Sequence, residues 1–393
     1  GSSATLNGTV NDEGTATSYN FEYSTSSSLA SPTSTTLTPL AASGSAQSVS
    51  ASITGLTAGT TYYFELLTTT DGNGGILNFN ATAGTPVPIQ IYGTDAIGTA
   101  IAVSQAEFHT THSAGGVVLA RDDFFSDSLA GGPLAAAING PLLITPGASI
   151  SASLDPRVVT EIQRVLPAGG TVYILGGNQA LNPSIDTTLQ ADGFNTIREA
   201  GADAYATAVG IANALASTSW GTPSTVFEAT GLSFYDALSA VPAAIKQHAA
   251  ILLTNGSSQD AATATYLAAH PSDTRYTVGG SLAAGGADPS AINISGQDLF
   301  NTSAAVASRF FPSAPIFGVA TAADFPDALG GGVYMATGGR SGPILLVNQS
   351  TPLPSEILPY LASLAVGTQG FVFGGPLAIG PNVLSALQAA VGG

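Results

Sequence analysis

The sequence has no cysteine and little charge. Without cysteine, neither disulfide bonds nor thiolate chemistry is available to the 393-residue chain. Charged residues make up 8% of it, whereas a typical soluble domain has about 25%. Lysine and arginine total 8 against 25 aspartates and glutamates, which gives a formal net charge of −17. Because nucleic acids and anionic membranes bind basic surfaces, this composition argues against either partner.

Long apolar runs are also missing. No segment approaches the ~18 consecutive apolar residues of a membrane span. Asn139, Gly140 and Pro141 interrupt the most apolar stretch, residues 133–144. The hydrophobic fraction of 44% nevertheless suffices for packed cores, and the length of the chain predicts two or three domains.

Residues 1–86 predict an all-β domain. Apolar and polar residues alternate in segments that glycine, asparagine, aspartate and serine separate, which indicates strands with one buried face. The segments are ATLNGTV, SYNFEYS, QSVSASITGL, TYYFELLTT and GILNFNATA. Such spacing is typical of a β-sandwich, in which we expect Tyr62, Phe64 and Leu66 to point inward.

A short segment of this domain carries a more specific signal. Residues 55–66 (GLTAGTTYYFEL) place Leu56 six residues before Tyr62, across an alanine–glycine turn. The segment resembles the corner between strands E and F of fibronectin type III domains, where a tyrosine hydroxyl bonds to upstream backbone. The resemblance implies a fibronectin type III-like sandwich over 1–86. We expect it to act as a spacer, and a ligand site on it is the alternative.

From residue 89 onward, short apolar runs alternate with longer, alanine-rich amphipathic segments, as in parallel sheets flanked by helices. Successive units repeat the same motifs in the same order. A Gly-x-Asp motif opens each unit, at Gly93/Asp95, Gly201/Asp203 and Gly296/Asp298. An aromatic residue followed by x-Asp comes next, with the acid at Asp127, Asp236 and Asp327. A strand of the type PLLIT and a strand ending in Gly-Gly follow.

This order predicts three α/β units, 89–197, 198–292 and 293–393. Strands that are separated by helices require crossover connections, so each unit should contain a parallel, Rossmann- or flavodoxin-like sheet with helices on both faces.

The repeated acids favour two interpretations. Ser233 and Asp236 have the spacing of a capping box directly after a strand, so the acid is expected to stabilise a helix start. Asp324 and Asp327 repeat that spacing. Alternatively, the three acids, including Asp127, converge on an axis and bind Ca²⁺. The same alternatives apply to the opening acids, Asp95, Asp203 and Asp298.

Together the motifs resemble the cell-wall-binding repeat type 2 family. Its units carry G-x-D-R-Y-x-T-A, F-P-D-A-L-x-G, a PILLT-like strand and V-Y-x-x-G-G. The matching segments are GADAYATA (201–208), DFPDALGGG (324–332), PLLIT (141–145) and TVYILGG (171–177). The resemblance covers residues 89–393. It implies three units around a pseudo-threefold axis, non-catalytic attachment to anionic polymers of a Gram-positive wall, and binding in the clefts between units.

The residues that would bind an anionic polymer are largely missing. Apolar residues replace the family's arginine after Gly-x-Asp: Ala96, Ala204 and Leu299. An arginine three residues before the glycine persists as Arg198, with Gln90 and Asn293 at the equivalent positions. Because guanidinium groups are the natural partners of anionic groups, we expect a neutral glycan, a cation-bridged polymer or another protein as ligand. The candidate polymer-binding residues are Arg198, Asp95, Asp203, Asp298, Asp127, Asp236 and Asp327.

Catalytic constellations and cofactor motifs do not emerge from the sequence. His109 and His112 have a spacing that could hold a metal, but no third ligand is fixed nearby, so we expect a solvated loop. The Gly-Gly pairs lack the G-x-G-x-x-G pattern of dinucleotide binding, and there is no serine nucleophile elbow. We therefore expect no enzymatic activity and no cofactor, with Ca²⁺ at the acids as the open alternative.

Localisation and partners follow from these features. N-x-[S/T] sequons, which are candidates for glycosylation, occur at Asn7, Asn80, Asn255, Asn293, Asn301 and Asn348. We predict a secreted, extracellular protein at the cell wall or cell surface that binds a wall polysaccharide or other surface glycan. The alternative is a subunit that self-associates into a surface layer or filament, because a nearly uncharged surface weakens the repulsion between copies.

Overall fold

The computed structural model describes residues 3–11, 17–26, 29, 31–43, 45–56, 62–69, 88–147 and 153–391. The chain divides into two compact units, Gly1–Val87 and Pro88–Gly393.

The described part of the first unit is built from strands. They are β1 (Ser3–Asn11), β2 (Thr17–Ser24), β3 (Thr33–Ser34), β4 (Thr38–Leu40), β5 (Ala46–Thr54) and β6 (Tyr63–Thr69). β1 pairs antiparallel with β5, and β2 pairs antiparallel with β3, β4 and β6. Alternate residues of these strands, among them Leu6, Phe21 and Ile53, form a separate hydrophobic core. The predicted β-rich character of this unit is confirmed.

The finer predictions for this unit have mixed outcomes. Leu66 is 2% exposed, as expected of an inward residue, whereas Tyr62 and Phe64 are half-buried. Residues 57–61 of the predicted E–F corner and the strand predicted at 75–83 lie outside the described residues. The fibronectin type III identity therefore stays a prediction.

The second unit alternates strands and helices. Its strands are β7 (Ile89–Ile91), β8 (Val117–Arg121), β9 (Leu142–Thr145), β10 (Thr171–Leu175), β11 (Asn195–Glu199), β12 (Thr225–Thr230), β13 (Ala250–Thr254), β14 (Thr274–Val278), β15 (Ile292–Ile294), β16 (Ile316–Thr321), β17 (Ile344–Val347) and β18 (Gln369–Phe373). Its helices are α1 (Ala96–Glu107), α2 (Gly131–Ala137), α3 (Pro156–Val165), α4 (Ser184–Ala191), α5 (Ala204–Leu215), α6 (Tyr235–Lys246), α7 (Ala261–Ala269), α8 (Ala284–Ala287), α9 (Leu299–Phe310), α10 (Pro326–Tyr334), α11 (Leu358–Ser363) and α12 (Pro381–Ala390). None of the helices in the described ranges combines the length and apolarity needed to cross a bilayer.

These strands form four-stranded parallel sheets with one common order: β9-β8-β10-β11, β13-β12-β14-β15 and β17-β16-β18-β7. The inner strands β8, β12 and β16 are almost continuously buried because helices cover both faces of their sheets. The prediction of three parallel-sheet α/β units is thus confirmed.

The outer strand of each sheet connects one α/β unit to another. β11 and β15 pair with β10 and β14 of the unit that precedes them. The predicted unit boundaries 197/198 and 292/293 fall within these two strands. The third sheet takes its outer strand from the start of the repeat region. β7 pairs with β18, which places Ile89 opposite Phe371. The three units therefore close into a ring.

The helices that follow the second motif pack at the centre of this ring. α2, α6 and α10 each contact the other two, and successive units meet cyclically through α2 with α5, α6 with α9 and α10 with α1. A Cβ on Gly132 would lie 2.5 Å from Val241 Cγ1, and one on Gly332 would lie 3.0 Å from the same atom. Val241 thus fills the central space that its two glycine equivalents leave open. This cyclic arrangement agrees with the expected pseudo-threefold axis.

Candidate functional site: the clefts between units

The aromatic residues of the second motif meet on the axis. Phe125, Phe234 and Phe325 each contact the other two, with ring centroids 5.7 to 6.0 Å apart. Phe325 is 5% exposed and the other two are half-buried. The aromatic residue recurs two positions before each acid because the three units pack around these rings.

The acids of the opening motif start helices, which confirms the capping interpretation for them. Asp95, Asp203 and Asp298 are the N-caps of α1, α5 and α9. Each carboxylate accepts a hydrogen bond of 2.7 or 2.8 Å from the backbone N–H three residues on: Asp95 from Gly98, Asp203 from Ala206 and Asp298 from Asn301.

For the acids of the second motif, the predicted capping box does not form, although Asp236 and Asp327 lie in the first turns of α6 and α10. Helices α6 and α10 begin after Phe234 and Phe325, and no side chain caps them. Asp127 lies in the turn before α2, away from its first residue. The aromatic residue takes the cap position because its ring must reach the axis. The acid two residues later then lies inside the first turn of α6 and of α10, and not at the cap position.

Each of these acids instead packs against the Gly-Gly turn of its own unit. The carboxylate contacts the first glycine of the pair: Asp127 contacts Gly176, Asp236 contacts Gly279 and Asp327 contacts Gly374. These glycines have φ values of +95°, +111° and +112°, and a Cβ on any of them would collide with the carboxylate. Only glycine suits such a position, both for its left-handed backbone and for the close approach.

A threonine from the following unit forms the opposite side of the same pocket. Thr99, Thr207 and Thr302 each accept a hydrogen bond of 3.1 or 3.2 Å from the backbone N–H of the opening glycine. Their positions place these hydroxyls beside the acids of the preceding unit. Sequence reasoning missed these threonines, although one recurs six residues after each opening glycine.

Burial in these surroundings raises the pKa of all three acids. For Asp127, a hydrogen bond with Thr207 and the charge of Arg121 oppose the rise that burial causes. For Asp327, a hydrogen bond with Thr99 opposes it. For Asp236, burial acts alone and raises the pKa to about 6.

The structure therefore places the candidate acids in three clefts between units. Each cleft combines an acid of the second motif and the Gly-Gly turn of one unit with the cap acid and threonine of the next. Cleft 1/2 contains Asp127, Gly176, Asp203 and Thr207; cleft 2/3 contains Asp236, Gly279, Asp298 and Thr302; cleft 3/1 contains Asp327, Gly374, Asp95 and Thr99. Cleft 2/3 has a volume of about 740 Å³.

The clefts differ in charge. In cleft 1/2, the positive charge of Arg121 acts on Asp127. In cleft 3/1, Arg157 forms an ion pair with Asp95, with 3.0 Å between Nη1 and Oδ2. None of the described residues that line cleft 2/3 is a lysine or arginine. This cleft therefore presents carboxyl groups without a compensating cation.

Arg198 and its equivalents hold the Gly-Gly turns. Arg198 Nη1 donates to the carbonyl oxygens of Gly176 (2.9 Å) and Leu181 (3.1 Å), and Nη2 pairs with Asp186. Gln90 Nε2 donates to the Gly374 carbonyl at 2.8 Å. The remaining equivalent does the same in the second unit: Asn293 Nδ2 donates to Gly279 O at 2.9 Å. The donor atoms of all three side chains thus serve the fold of the turn.

The histidines and most of the glycosylation candidates do not line cleft 2/3, whereas Asn293 does. His109 and His112 are exposed, and no three histidine, aspartate or glutamate side chains in the described ranges group as metal ligands; Ca²⁺ binding stays a prediction. Asn348 lines a groove of about 1020 Å³ within the third unit. Of the other sequons, Asn7, Asn255 and Asn293 are exposed, Asn301 is half-buried, and Asn80 lies outside the described residues.

Comparison with known proteins agrees with the arrangement of three units. The chain matches the family model described as cell wall binding domain 2 (CWB2) three times, over residues 90–186, 198–286 and 293–384. The chain therefore belongs to the cell wall binding domain 2 family, which makes it a protein of the cell wall or cell surface.

Individual relatives share part of the chain. N-acetylmuramoyl-L-alanine amidase LytC of Bacillus subtilis (strain 168) is 26% identical over 251 residues, which are 63% of this chain and 48% of LytC. Cwp8 from Clostridium difficile has a similar fold, with a TM-score of 0.68, 20% identity, and coverage of 84% of this chain and 59% of Cwp8. For Cwp6 from Clostridium difficile, the TM-score is 0.66 at 16% identity, over 98% of this chain and 66% of Cwp6. The chain thus spans only part of each relative.

Proposed function

We propose that the chain is a secreted, non-catalytic attachment protein that binds a glycan of the cell wall through the clefts between its three repeats. The observation that carries the proposal is the recurrence of one arrangement at every interface between units. In each cleft, an acid beside a left-handed glycine faces a capped helix start and a threonine. Membership of a wall-binding family supports the choice of ligand.

The chemistry of the clefts favours binding over catalysis. A hydrolase needs a positioned nucleophile, base or metal, and the described residues contain no group of three potential metal ligands. The buried acids rest against glycine turns, and no serine nucleophile elbow occurs in the sequence. The similarity to an amidase covers less than half of that enzyme, so it does not transfer the activity.

The same chemistry favours a neutral polymer. The guanidinium of Arg198 is committed to the turn and to Asp186, and Arg157 is committed to two carboxylates, Asp95 and Asp155. A chain of net charge −17 repels an anionic polymer. Carboxylates and threonine hydroxyls, in contrast, are suitable hydrogen-bond partners for sugar hydroxyls.

We assign the first unit the role of a fibronectin type III-like arm. The pairing of β1 with β5 and of β2 with β6 in two separate antiparallel sheets supports this assignment, because such sandwiches divide their strands in this way.

Sedimentation with isolated cell walls of the source organism tests the proposal. We expect the full chain to pellet with intact walls and to stay in solution with walls stripped of their attached glycans. The triple variant Asp95→Asn/Asp203→Asn/Asp298→Asn should pellet less, since asparagine preserves the helix caps but removes the charged acceptors. The control is Asp192→Asn/Asp260→Asn, which neutralises an exposed acid and the cap of α7, both outside the clefts. Wild-type protein that never pellets with intact walls would contradict the proposal.

Self-assembly into a surface layer or filament is the second candidate. Leu282 and Leu377 follow the Gly-Gly turns of the second and third units and are 90% and 96% exposed. Apolar side chains that protrude in this way support contacts between copies. Electron microscopy of the purified chain over a range of concentrations tests this candidate, and particles that stay monodisperse throughout would rule it out.

A further inference from the structure

Cleft 2/3 carries an aromatic side chain that the other clefts lack at the same position. Tyr235 lies between Phe234 and Asp236 and lines this cleft. The equivalent residues are Ser126 in the first unit and Pro326 in the third. The tyrosine is therefore specific to the interface between the second and third units.

The ring of Tyr235 is held in place from behind. It packs against Phe234, with ring centroids 4.2 Å apart, and Phe234 is itself fixed by Phe125 and Phe325 on the axis. Tyr235 is half-buried, so part of its surface faces the cleft. A ring that the fold already orients loses little entropy when a ligand packs on its face.

Polar groups next to the ring complete a site for a sugar. Asp236 follows Tyr235 directly and lines the same cleft, where burial raises its pKa. Asp298 and Thr302 face it from the third unit. An aromatic face suits the apolar C–H side of a pyranose, and carboxyl and hydroxyl oxygens suit its hydroxyl groups.

The absence of a cation in cleft 2/3 restricts the class of ligand. The described residues that line it include two aspartates and no lysine or arginine. Phosphate, carboxylate or sulfate groups on a polymer would meet only like charge here, which costs free energy. The cleft thus selects against charged sugars.

We propose that cleft 2/3 binds one pyranose ring of a neutral glycan, with Tyr235 as the stacking residue that sets specificity and Asp236 as the hydrogen-bonding residue. The proposal rests on the proposed function, because it names the ligand class and the principal cleft for glycan attachment.

Titration calorimetry with two polysaccharide fractions tests the proposal. Both are released from walls of the source organism and are separated into neutral and anionic fractions by anion exchange. The full chain should bind the neutral fraction with an affinity that does not change with salt concentration, because no ionic contact forms. Tyr235→Ala should weaken this binding about tenfold, as loss of an aromatic contact does. Tyr235→Phe should bind like the wild type, since the ring is retained.

A control variant and the melting temperature distinguish loss of a binding contact from loss of the fold. Trp220→Ala removes a half-buried aromatic side chain that stacks on His248 and does not line cleft 2/3, and it should leave the affinity unchanged. All variants, including the control, should keep the wild-type melting temperature to within a few degrees. Equal affinity for wild type and Tyr235→Ala, or binding of the anionic fraction alone, would overturn this inference while leaving wall attachment intact. Failure of the wild type to bind either fraction or intact walls would contradict the proposed function itself.

Discussion

At the residue scale, aspartate has two different roles in the repeated motifs, and its position in the motif determines which one it has. Asp95, an opening acid, caps a helix at the surface, where its side chain is 50% exposed. Asp236, an acid of the second motif, is buried against a glycine turn. Both are aspartates in short repeated motifs, but only Asp95 gains hydrogen bonds that offset the cost of its charge. The energetics of the two sets of acids therefore differ.

The buried carboxyl of Asp236 predicts a pH-dependent stability. Its pKa rises from 3.8 to about 6 on folding, so the native state holds the proton more tightly than the unfolded state. The resulting stabilisation is complete below about pH 4 and is lost as the pH rises through about 6. Asp236→Asn should therefore raise the free energy of unfolding at pH 8 by up to about 3 kcal/mol and change it little at pH 4. Urea unfolding at both pH values measures this difference.

The exposed Asp192 provides the control for this experiment. Asp192→Asn should change the free energy of unfolding little at either pH. If Asp236→Asn were equally neutral at pH 8, the carboxyl could not be as buried as its contact with Gly279 implies.

At the element scale, the elbow between strand and second helix determines how closely the units approach. The helix starts that follow Phe234 and Phe325 have no side-chain cap, so their stability comes from packing of α2, α6 and α10 against one another. Glycine, alanine and serine are frequent in these helices, and small side chains let helix backbones come close. A pattern of small residues after each acid was visible in the sequence. Its role in contacts between units depends on the fold.

The contact between Gly132 and Val241 gives a test of this packing. Gly132→Ala would place a methyl group 2.5 Å from Val241 Cγ1, and valine in a helix has little rotamer freedom. We expect a loss of stability of about 1–3 kcal/mol from overpacking. Val241→Ala in the same chain should recover most of it, because the space is vacated. Thermal unfolding of the single and double variants measures the coupling.

A glycine with room around it serves as the comparison. A Cβ on Gly210 in α5 would meet only Glu199 Oε2, at 3.4 Å. Gly210→Ala should therefore be neutral or stabilise the helix by up to about 1 kcal/mol. Similar losses from both alanine substitutions would show that the centre of the ring is not unusually tight.

At the scale of the whole molecule, the ring is closed by pairing between its first and last elements. β7 is the first strand of the repeat region, yet it pairs with β18 of the third unit and supplies that sheet with its outer strand. Gln90 reinforces the join by donating to Gly374, 284 residues away in the sequence. The third unit therefore depends on residues at the opposite end of the repeat region.

Removal of β7 should destabilise the third unit selectively. A chain that begins at residue 92 lacks the strand, whereas one that begins at residue 88 retains it. We expect hydrogen exchange in β18 to accelerate strongly in the shorter chain, because the strand becomes an unprotected edge. Exchange in β10 and β14, whose outer partners β11 and β15 remain, should be unchanged. Equal protection of β18 in both chains would contradict closure by β7.

Features that depend on interactions between residues close in the sequence could be predicted, and those that depend on distant residues could not. The sequence determined the α/β units, their buried parallel strands and the helix caps at Asp95, Asp203 and Asp298, because each depends on residues close together in the chain. The repeated order of motifs was sufficient to identify the units and their family resemblance.

Contacts between different α/β units were decided only by the tertiary structure. Phe125, Phe234 and Phe325 meet on the axis although long stretches of chain separate them, and an aromatic residue therefore takes the N-cap position of α6 and α10. Contacts between residues distant in the sequence also explain three other features: the pairing of β7 with β18, the role of Arg198 in a turn and the charge of cleft 2/3. A local pattern reports which residues are apolar or can cap a helix, but contacts between distant copies follow from packing of the folded units.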